Sequence, residues 1–124
     1  LGDNNVQITF TAQVVPVCRG IMSCLYASLD GQNPDQVLEI YNEFNKNNNF
    51  VRVQGANTPA SIADVRGTNY CSLTVDVDER NNRLRVISHI DNLMKGQAGN
   101  ALQNMNLMFG LDSGMGLATP GQYP

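Results

Sequence analysis

The chain has 124 residues, of which 42% are hydrophobic and 15% are charged, and its formal net charge is −3. That length predicts one domain with a single core. The lack of a basic stripe argues against nucleic-acid binding, and no apolar run approaches the ~20 residues that a membrane span needs. Three cysteines and one histidine at irregular spacing, without a Cys-x-x-Cys pair, predict reduced thiols and no metal site.

The first third of the chain predicts two strands. Its beginning has no Met and no basic region, which indicates an internal start and not a signal peptide. Residues 6–11 alternate apolar and polar side chains, so they predict a strand with one buried face that ends before Pro16. Residues 21–29 are apolar on both faces and predict a central strand, which Asp30 and Gly31 close with a turn.

The middle of the chain predicts a helix, a short strand and a loop. Asn33, Pro34 and Asp35 form a helix start, with a capping amide, a proline in the first turn and an early acid. Apolar residues then follow at the spacing of one helical face: Val37, Leu38, Tyr41 and Phe44. Residues 50–53 predict a strand, and residues 55–68 predict a long loop of the kind that is often functional or interfacial.

The last part of the chain predicts a hairpin followed by a helix. Residues 72–78, with Leu73, Val75 and Val77 directed inward, and residues 84–90 form the hairpin. A helix over 93–109 ends before Gly110, and the tail, residues 111–124, is expected to be extended. The apolar stripe of this helix is Ala98, Ala101, Leu102, Met105 and Met108. The predicted class is α+β, with a mixed, mostly antiparallel sheet covered by helices on one face.

Few residues suggest chemistry by type and spacing alone. Residues 95–99 (KGQAG) begin a helix, whose free N–H groups suit an anion, although small residues there also suit tight packing. Arg19 could bind a carboxylate or phosphate, or simply lie on the surface. Cys18 has no neighbouring base, so it is interpreted as structural; Cys24 and Cys71 are interpreted as packing residues. His89, alone in a strand, is interpreted as structural or solvent-facing.

Several longer runs resemble one enzyme family. Residues 67–71 (GTNYC), 75–80 (VDVDER) and 90–110 (IDNLMKGQAGNALQNMNLMFG) are similar to N-acetyl-gamma-glutamyl-phosphate reductases, and the last run is the most specific. Residues 10–21 (FTAQVVPVCRGI) resemble a family pattern Phe-Thr-Pro-His-Leu-x-Pro-x-x-Arg-Gly-Ile. These matches run in family order across nearly the whole chain, and the Tyr123-Pro124 ending looks like a family C-terminus.

The resemblance implies a reaction and an architecture. Such enzymes reduce an N-acetylated gamma-glutamyl phosphate to the semialdehyde with NADPH in arginine biosynthesis. A cysteine attacks the acyl phosphate to form a thioester, and hydride from the nicotinamide releases the aldehyde. The fold implied is the second domain of semialdehyde dehydrogenases, so residues 1–124 would be the C-terminal dimerisation and catalytic part. The N-terminal Rossmann domain and the nucleophile would lie on polypeptide that precedes this chain, which alone would be inactive.

The resemblance also assigns site residues. Arg19 matches a substrate-binding position, whereas Asn92, Lys95, Gly96 and Gly99 match the segment expected near the nicotinamide end of NADP. That match favours the anion-binding interpretation of the helix start over packing.

Two residues depart from the family pattern in the catalytic stretch. The family's acid–base histidine falls on Gln13, and Ala12 replaces a proline. An amide cannot titrate near neutral pH, although it can hydrogen-bond substrate. Gln13 is therefore a substitution that weakens turnover, or the base lies elsewhere, or the segment has drifted from catalysis.

Three functions remain open at this stage. The first is part of an NADP-dependent acyl-phosphate reductase that forms a dimer or tetramer through the sheet. The second is a non-catalytic dimerisation or interaction module of the same family, and the third is a sister reductase for an aminoadipyl phosphate. A biosynthetic enzyme of this family is expected in the cytoplasm, or in an organelle stroma or matrix in a eukaryote.

Overall fold

The structure, a computed structural model, describes residues 7–121. Its elements in chain order are β1 (Ile21–Ser28), α1 (Pro34–Asn45), β2 (Val51–Gly55), a 3₁₀ turn (Ile62–Asp64), β3 (Cys71–Asp78), β4 (Arg83–Ile90), a π-helical segment (Met94–Ala98) and α2 (Gly99–Met108). One four-stranded sheet has the order β1-β4-β3-β2. Strand β4 is antiparallel to β1 and β3, and β2 is parallel to β3. The predicted α+β class with a mixed, mostly antiparallel sheet is confirmed.

The start of α1 shows how local sequence sets a helix boundary. The backbone N–H of Gln36 donates to Oδ1 of Asn33 at 2.9 Å, and the backbone N–H of Asn33 donates to Oε1 of Gln36 at 3.0 Å. This reciprocal capping box satisfies two backbone donors that a helix start leaves free. Pro34 stands in the first turn, where it loses no helical hydrogen bond.

The core lies between α1 and one face of the sheet. Val37 of α1, Val75 of β3 and Val86 of β4 are buried together. Further apolar side chains pack against them: Leu29, Leu38, Tyr41, Val53, Leu73, Val77 and Leu84. The predicted inward direction of Leu73, Val75 and Val77 is confirmed. Phe44, predicted on the buried helix face, is instead 92% exposed; in the last turn of α1 it is Asn45 that contacts the sheet, where its Nδ2 donates to the carbonyl of Val51.

The loop predicted over residues 55–68 covers the opposite face of the sheet. The backbone N–H of Ala60 donates to Oγ1 of Thr74 at 2.9 Å, and Thr74 is 5% exposed. Ser72 and His89, which are partners across β3 and β4, are also buried. The sheet therefore has α1 on its apolar face and a loop on its polar face.

Strand β1 is an edge strand and not the central strand that its sequence predicted. Among the described residues it pairs with β4 alone, and all eight of its residues are exposed. Leu25 and Tyr26 are 53% and 60% exposed, and Cys24, interpreted as a packing residue, is exposed as well. Apolar residues on both faces of a strand indicate burial only if both faces are covered, and α1 packs over β2 and β3.

The segment before β1 is extended and exposed. Residues 7–11 belong to the strand predicted over 6–11, yet they have no regular secondary structure; Val6 lies outside the described residues. Phe10 and Val14 are 87% and 102% exposed. A strand is defined by pairing with a neighbouring backbone, and within residues 7–121 no strand pairs with this segment.

The predicted helix over 93–109 is present, although its first turn is π-helical and its buried face differs. Met105 and Met108, predicted to be buried, are 43% and 84% exposed, whereas Asn106 is 1% exposed. Nδ2 of Asn106 donates to the carbonyl of Met115 at 3.0 Å, which turns the tail back onto α2 and buries Leu117. The tail is therefore not extended as predicted; its residues 122–124 lie outside the described part.

Candidate functional site

The site forms where β4 ends and the second helix begins. Asp91 follows the last residue of β4 and is 0% exposed. Its Oδ1 accepts hydrogen bonds from the backbone N–H groups of Leu93 and Met94, both at 2.8 Å. Its Oδ2 accepts one from the backbone N–H of Gly67 at 2.7 Å. The carboxylate thus caps the helix and joins it to the turn around Gly67.

Arg19 completes this arrangement, which we call the Asp91 cluster (Arg19, Gly67, Asp91, Leu93 and Met94). Nη2 of Arg19 donates to Oδ1 of Asp91 at 3.1 Å. Nε lies 2.7 Å from Oδ2, at an angle too poor for a hydrogen bond, so this second contact is purely ionic. The guanidinium therefore faces both carboxylate oxygens, while the arginine side chain keeps 25% of its surface exposed.

The protonation state of Asp91 follows from these contacts. Burial raises the pKa of Asp91, but the hydrogen bonds from Gly67, Met94, Arg19 and Leu93 together outweigh burial. The pKa of the carboxyl consequently lies below its ordinary value, so Asp91 is ionised at neutral pH. A buried charge of this kind is tolerated because four hydrogen bonds and the guanidinium of Arg19 compensate its loss of hydration.

The first turn of the second helix has π geometry. The backbone N–H of Gly96 donates to the carbonyl of Asp91 at 2.9 Å, and that of Ala98 donates to the carbonyl of Leu93 at 2.9 Å. Both bonds span five residues, and such turns are frequent at functional sites. The anion that the first N–H groups of this helix bind is the protein's own carboxylate, that of Asp91.

Lys95 provides positive charge at the same helix start. Its Nζ donates to Oε1 of Gln103 at 2.8 Å, and the same oxygen accepts from Nδ2 of Asn69 at 3.1 Å. Burial lowers the pKa of Lys95, and the neighbouring Cys71 opposes that shift. Burial likewise raises the pKa of the Cys71 thiol against the charge of Lys95. Lys95 is therefore a partly dehydrated cation held in a defined direction.

The two glycines of the helix start lie in different environments. Gly96 is exposed, and a Cβ built on it would have its nearest neighbour at 3.5 Å. Gly99 is buried, and a Cβ there would lie 2.4 Å from Oδ1 of Asn69 and 2.8 Å from the carbonyl of Met94. Gly99 is thus required for packing, whereas Gly96 lies at the surface and has room for a Cβ.

Among the sequence-predicted site residues, the structure brings Arg19, Asn92, Lys95 and Gly96 to one end of the sheet. Oδ1 of Asn92 accepts the backbone N–H of Gly20 at 2.9 Å, which ties the helix start to the residue after Arg19. Gln13 is not part of this group: it is exposed in the unpaired segment before β1, and none of the described hydrogen bonds involves it.

His89 is buried beneath the loop on the polar face of the sheet. It is 6% exposed, and its Nδ1 has no hydrogen-bond partner among the described residues. Burial lowers the pKa of His89, against the opposing charge of Asp64. Its environment agrees with the structural interpretation of this residue.

Sequence reasoning missed the two residues that organise the site most. Asp91 lies in the 90–110 run, just before the predicted helix, but no role was predicted for it, although an acid just before a helix is a recognised signal for capping. Asn69, which is 0% exposed and contacts both Gln103 and Gly99, had no local signal. Its role depends on two segments that meet only in the folded chain.

Other kinds of site find little support in the described residues. Within residues 7–121, no group of three or more His, Cys, Asp and Glu could hold a metal ion. No helix in that range is long and apolar enough to cross a membrane. Open grooves lie along the outer side of α1 and include Glu39 and Glu43. The residues that line these grooves do not include any residue of the Asp91 cluster.

Comparison with known proteins identifies the family. Residues 1–92 match the family described as semialdehyde dehydrogenase, dimerisation domain. The chain therefore belongs to the semialdehyde dehydrogenase dimerisation-domain family, a class in keeping with the mixed sheet.

Within that class, the curated relatives are N-acetyl-gamma-glutamyl-phosphate reductases. The enzyme of Methanocella arvoryzae is 45% identical over 98% of this chain and 36% of its own length. That of Geobacter metallireducens is 46% identical over 100% and 36%, and that of Bacillus subtilis is 43% identical over 94% and 34%. The chain thus spans about a third of the length of these relatives.

A solved structure shares the fold. The aspartate semialdehyde dehydrogenase II of Vibrio cholerae, solved in complex with ASA, has a TM-score of 0.57 with 22% sequence identity. The match covers 77% of this chain and 28% of that one. At this identity the likeness concerns the fold alone, and it confirms the expected architecture of a semialdehyde dehydrogenase second domain.

Proposed function

We propose that this chain is the dimerisation-domain part of an N-acetyl-gamma-glutamyl-phosphate reductase, which reduces N-acetyl-gamma-glutamyl phosphate to the semialdehyde in arginine biosynthesis. The observation that carries the proposal is 43–46% identity to three such reductases over 94–100% of the chain. The reaction of these relatives belongs to whole enzymes, and this chain spans about a third of their length. The cysteine nucleophile and the nucleotide-binding domain are expected in the rest of the polypeptide.

The residues of this chain support a binding and orienting role. Arg19 retains exposed surface beside the helix start, where a guanidinium suits a carboxylate or a phosphate of the substrate. Binding of the acyl phosphate in a fixed geometry lowers the entropic part of the barrier. Substrate and Arg19 would then meet at the end of the sheet that also holds Lys95.

Two of the four predicted cofactor contacts fit a nicotinamide cofactor. Lys95 offers a directed positive charge, and Gly96 is exposed at the surface of the same turn. Asn92 and Gly99 are used inside the domain, by Gly20 and Asn69 respectively. NADPH, when bound, supplies the hydride of the reaction, and Lys95 and Gly96 would hold its nicotinamide end.

Gln13 stands where the family pattern has its acid–base histidine, so it decides between two candidate functions. Its amide can hydrogen-bond a substrate oxygen but cannot accept and return a proton near neutral pH. This feature favours a second candidate function, a non-catalytic dimerisation module that keeps the fold of the family. The two candidates differ in whether the complete protein turns over substrate.

The test uses the complete reading frame that contains this chain. NADP reduction is followed with N-acetylglutamate semialdehyde in the presence and absence of phosphate, with an N-acetylated aminoadipate semialdehyde as the alternative substrate. Phosphate-dependent activity with the glutamate compound is expected. Preference for the longer compound would support the sister reductase, and a stable oligomer without activity on either would support the non-catalytic module.

The contribution of Gln13 is tested in the same assay. Gln13→His is expected to raise kcat by about 10²–10⁴-fold, the usual contribution of a general acid–base group. Gln7→His is the matched control, because Gln7 is exposed in the same unpaired segment. Equal rates for both variants and the wild-type protein would remove position 13 from the proton-transfer step.

A further inference from the structure

We propose that Asp91 is a positioning residue, which orients Arg19 toward the substrate without touching the substrate itself. The inference rests on the proposed function and on the geometry of the Asp91 cluster. It assigns a role to the most deeply buried charge at the site, where Asp91 is 0% exposed and Arg19 keeps 25% of its side-chain surface.

The first step of the argument concerns direction. An arginine side chain has several rotatable bonds, and its ordering in one direction costs about 2 kcal/mol of rotamer entropy. Asp91 faces Nε and Nη2 of Arg19 with its two oxygens, at 2.7 Å and 3.1 Å. The hydrogen bond from Nη2 and the ionic contact at Nε together restrict the rotation of the guanidinium. Its remaining nitrogen, Nη1, is therefore directed before any substrate arrives.

The second step concerns the rigidity of Asp91. Three backbone N–H groups, from Gly67, Leu93 and Met94, hold its carboxylate at 2.7–2.8 Å. They come from the turn before β3 and from the helix start, so two separately supported segments fix the same group. A second contact holds the backbone beside Arg19 against the helix start, because Oδ1 of Asn92 accepts the backbone N–H of Gly20. Arg19 is thus anchored through its side chain and through the next residue.

The third step separates positioning from a purely structural ion pair. Removal of a structural ion pair would lower only the stability of the domain. Removal of a positioning pair would also weaken substrate binding. Asparagine caps a helix about as well as aspartate, so Asp91→Asn keeps an oxygen for the N–H groups of Leu93 and Met94. The substitution removes the charge that faces Arg19 and disturbs the helix start least.

The experiment measures KM and kcat of the complete protein for each substrate. Asp91→Asn is expected to lower kcat/KM for the semialdehyde on the order of 10²-fold, the size of effect that a displaced binding group produces. The loss is expected mainly in KM for the semialdehyde, with KM for NADP unchanged. Asp76→Asn is the matched control, because it removes the same charge from the exposed Asp76–Arg85 pair of the same sheet; it is expected to leave both constants unchanged.

A double-mutant cycle tests whether Asp91 acts through Arg19. In the Arg19→Ala background, Asp91→Asn is expected to cause no further loss of kcat/KM, because the residue that it orients is gone. Equal losses in both backgrounds would overturn the inference and leave Asp91 with a structural role. So would an Asp91→Asn variant with the kinetic constants of the wild-type protein.

A second variant covers the case in which Asp91→Asn does not fold. Arg19→Lys leaves Asp91 and its backbone hydrogen bonds intact, but an ammonium is a point charge on a flexible stem and lacks the planar fork that fixes a direction. It is expected to lose as much kcat/KM as Arg19→Ala, and wild-type values would overturn the inference. An inactive wild-type protein would instead overturn the proposed function and this inference with it, so the two failures are distinguishable.

Discussion

The Asp91 cluster and the exposed N-terminal segment differ in what surrounds their side chains. At the Asp91 cluster, a charged side chain is 0% exposed because five contacts from three segments satisfy it. In the exposed N-terminal segment, residues 7–18, apolar Phe10 and Val14 are 87% and 102% exposed. The comparison shows that burial in this fold follows the presence of a partner and not the polarity of the side chain. Each of the following measurements can break or sharpen that comparison.

The largest expected effect is the loss of the buried charge. Asp91→Ala leaves the guanidinium of Arg19 and the N–H groups of Gly67, Leu93 and Met94 without their acceptor. Removal of one partner of a buried pair costs about 3–5 kcal/mol, so the free energy of unfolding should fall by that amount in urea titrations. Asp76→Ala, at an exposed pair, should cost no more than about 1 kcal/mol. Equal losses would mean that Asp91 is less enclosed than the structure shows.

A smaller effect is expected from the two glycines of the helix start. Gly99→Ala would place a Cβ 2.4 Å from Oδ1 of Asn69 and 2.8 Å from the carbonyl of Met94. Because one of these atoms is backbone, the overlap should cost about 1–3 kcal/mol of unfolding free energy. A Cβ at Gly96 would have its nearest neighbours at 3.5–3.7 Å, which is ordinary van der Waals contact, so Gly96→Ala should leave the free energy of unfolding unchanged or raise it by about 0.4–1 kcal/mol.

The Gly96→Ala variant also tests the proposed cofactor contact. In the complete protein, a methyl group in the open first turn should raise KM for NADP while the stability is retained. A variant that is both stable and unchanged in KM for NADP would place the cofactor elsewhere.

A pH-dependent effect is expected from His89. Burial holds the pKa of this imidazole below its ordinary value, so the folded state favours the neutral form. Its contribution to stability is complete above the unfolded pKa of about 6.5 and is lost as the pH falls through the folded pKa. Urea titrations between pH 7 and pH 5 should show a falling free energy of unfolding, and His89→Gln should remove that slope. An unchanged slope in the variant would assign it to other groups.

The smallest effect is expected in the exposed N-terminal segment. Phe10→Ser should change the free energy of unfolding of the 124-residue chain by less than about 0.5 kcal/mol, because the side chain has no packing to lose. The same substitution in the complete protein reports whether further polypeptide or a second subunit covers the segment. A loss of about 3–5 kcal/mol there, typical of a truncated buried aromatic, would show that this segment is also buried once a partner is present.

The sequence determined the elements whose signals are local. The capping box of Asn33 and Gln36 set the start of α1, alternation set the inward residues of the hairpin, and Gly110, with φ of 67°, ended the second helix. The long match over residues 90–110 indicated the family. These features need only neighbouring residues, because capping, turn and pleat geometry depend on positions a few residues apart.

Tertiary structure decided what lies next to what. The edge position of β1, the exposure of Phe44 and the burial of Asn106 each depend on which surfaces the rest of the chain covers. Arg19 and Asp91 are 72 residues apart, and Gly67 is 24 residues from Asp91; no local pattern reports such pairs. A carboxylate becomes an anchor only where distant donors converge on it, and that convergence exists in the fold alone.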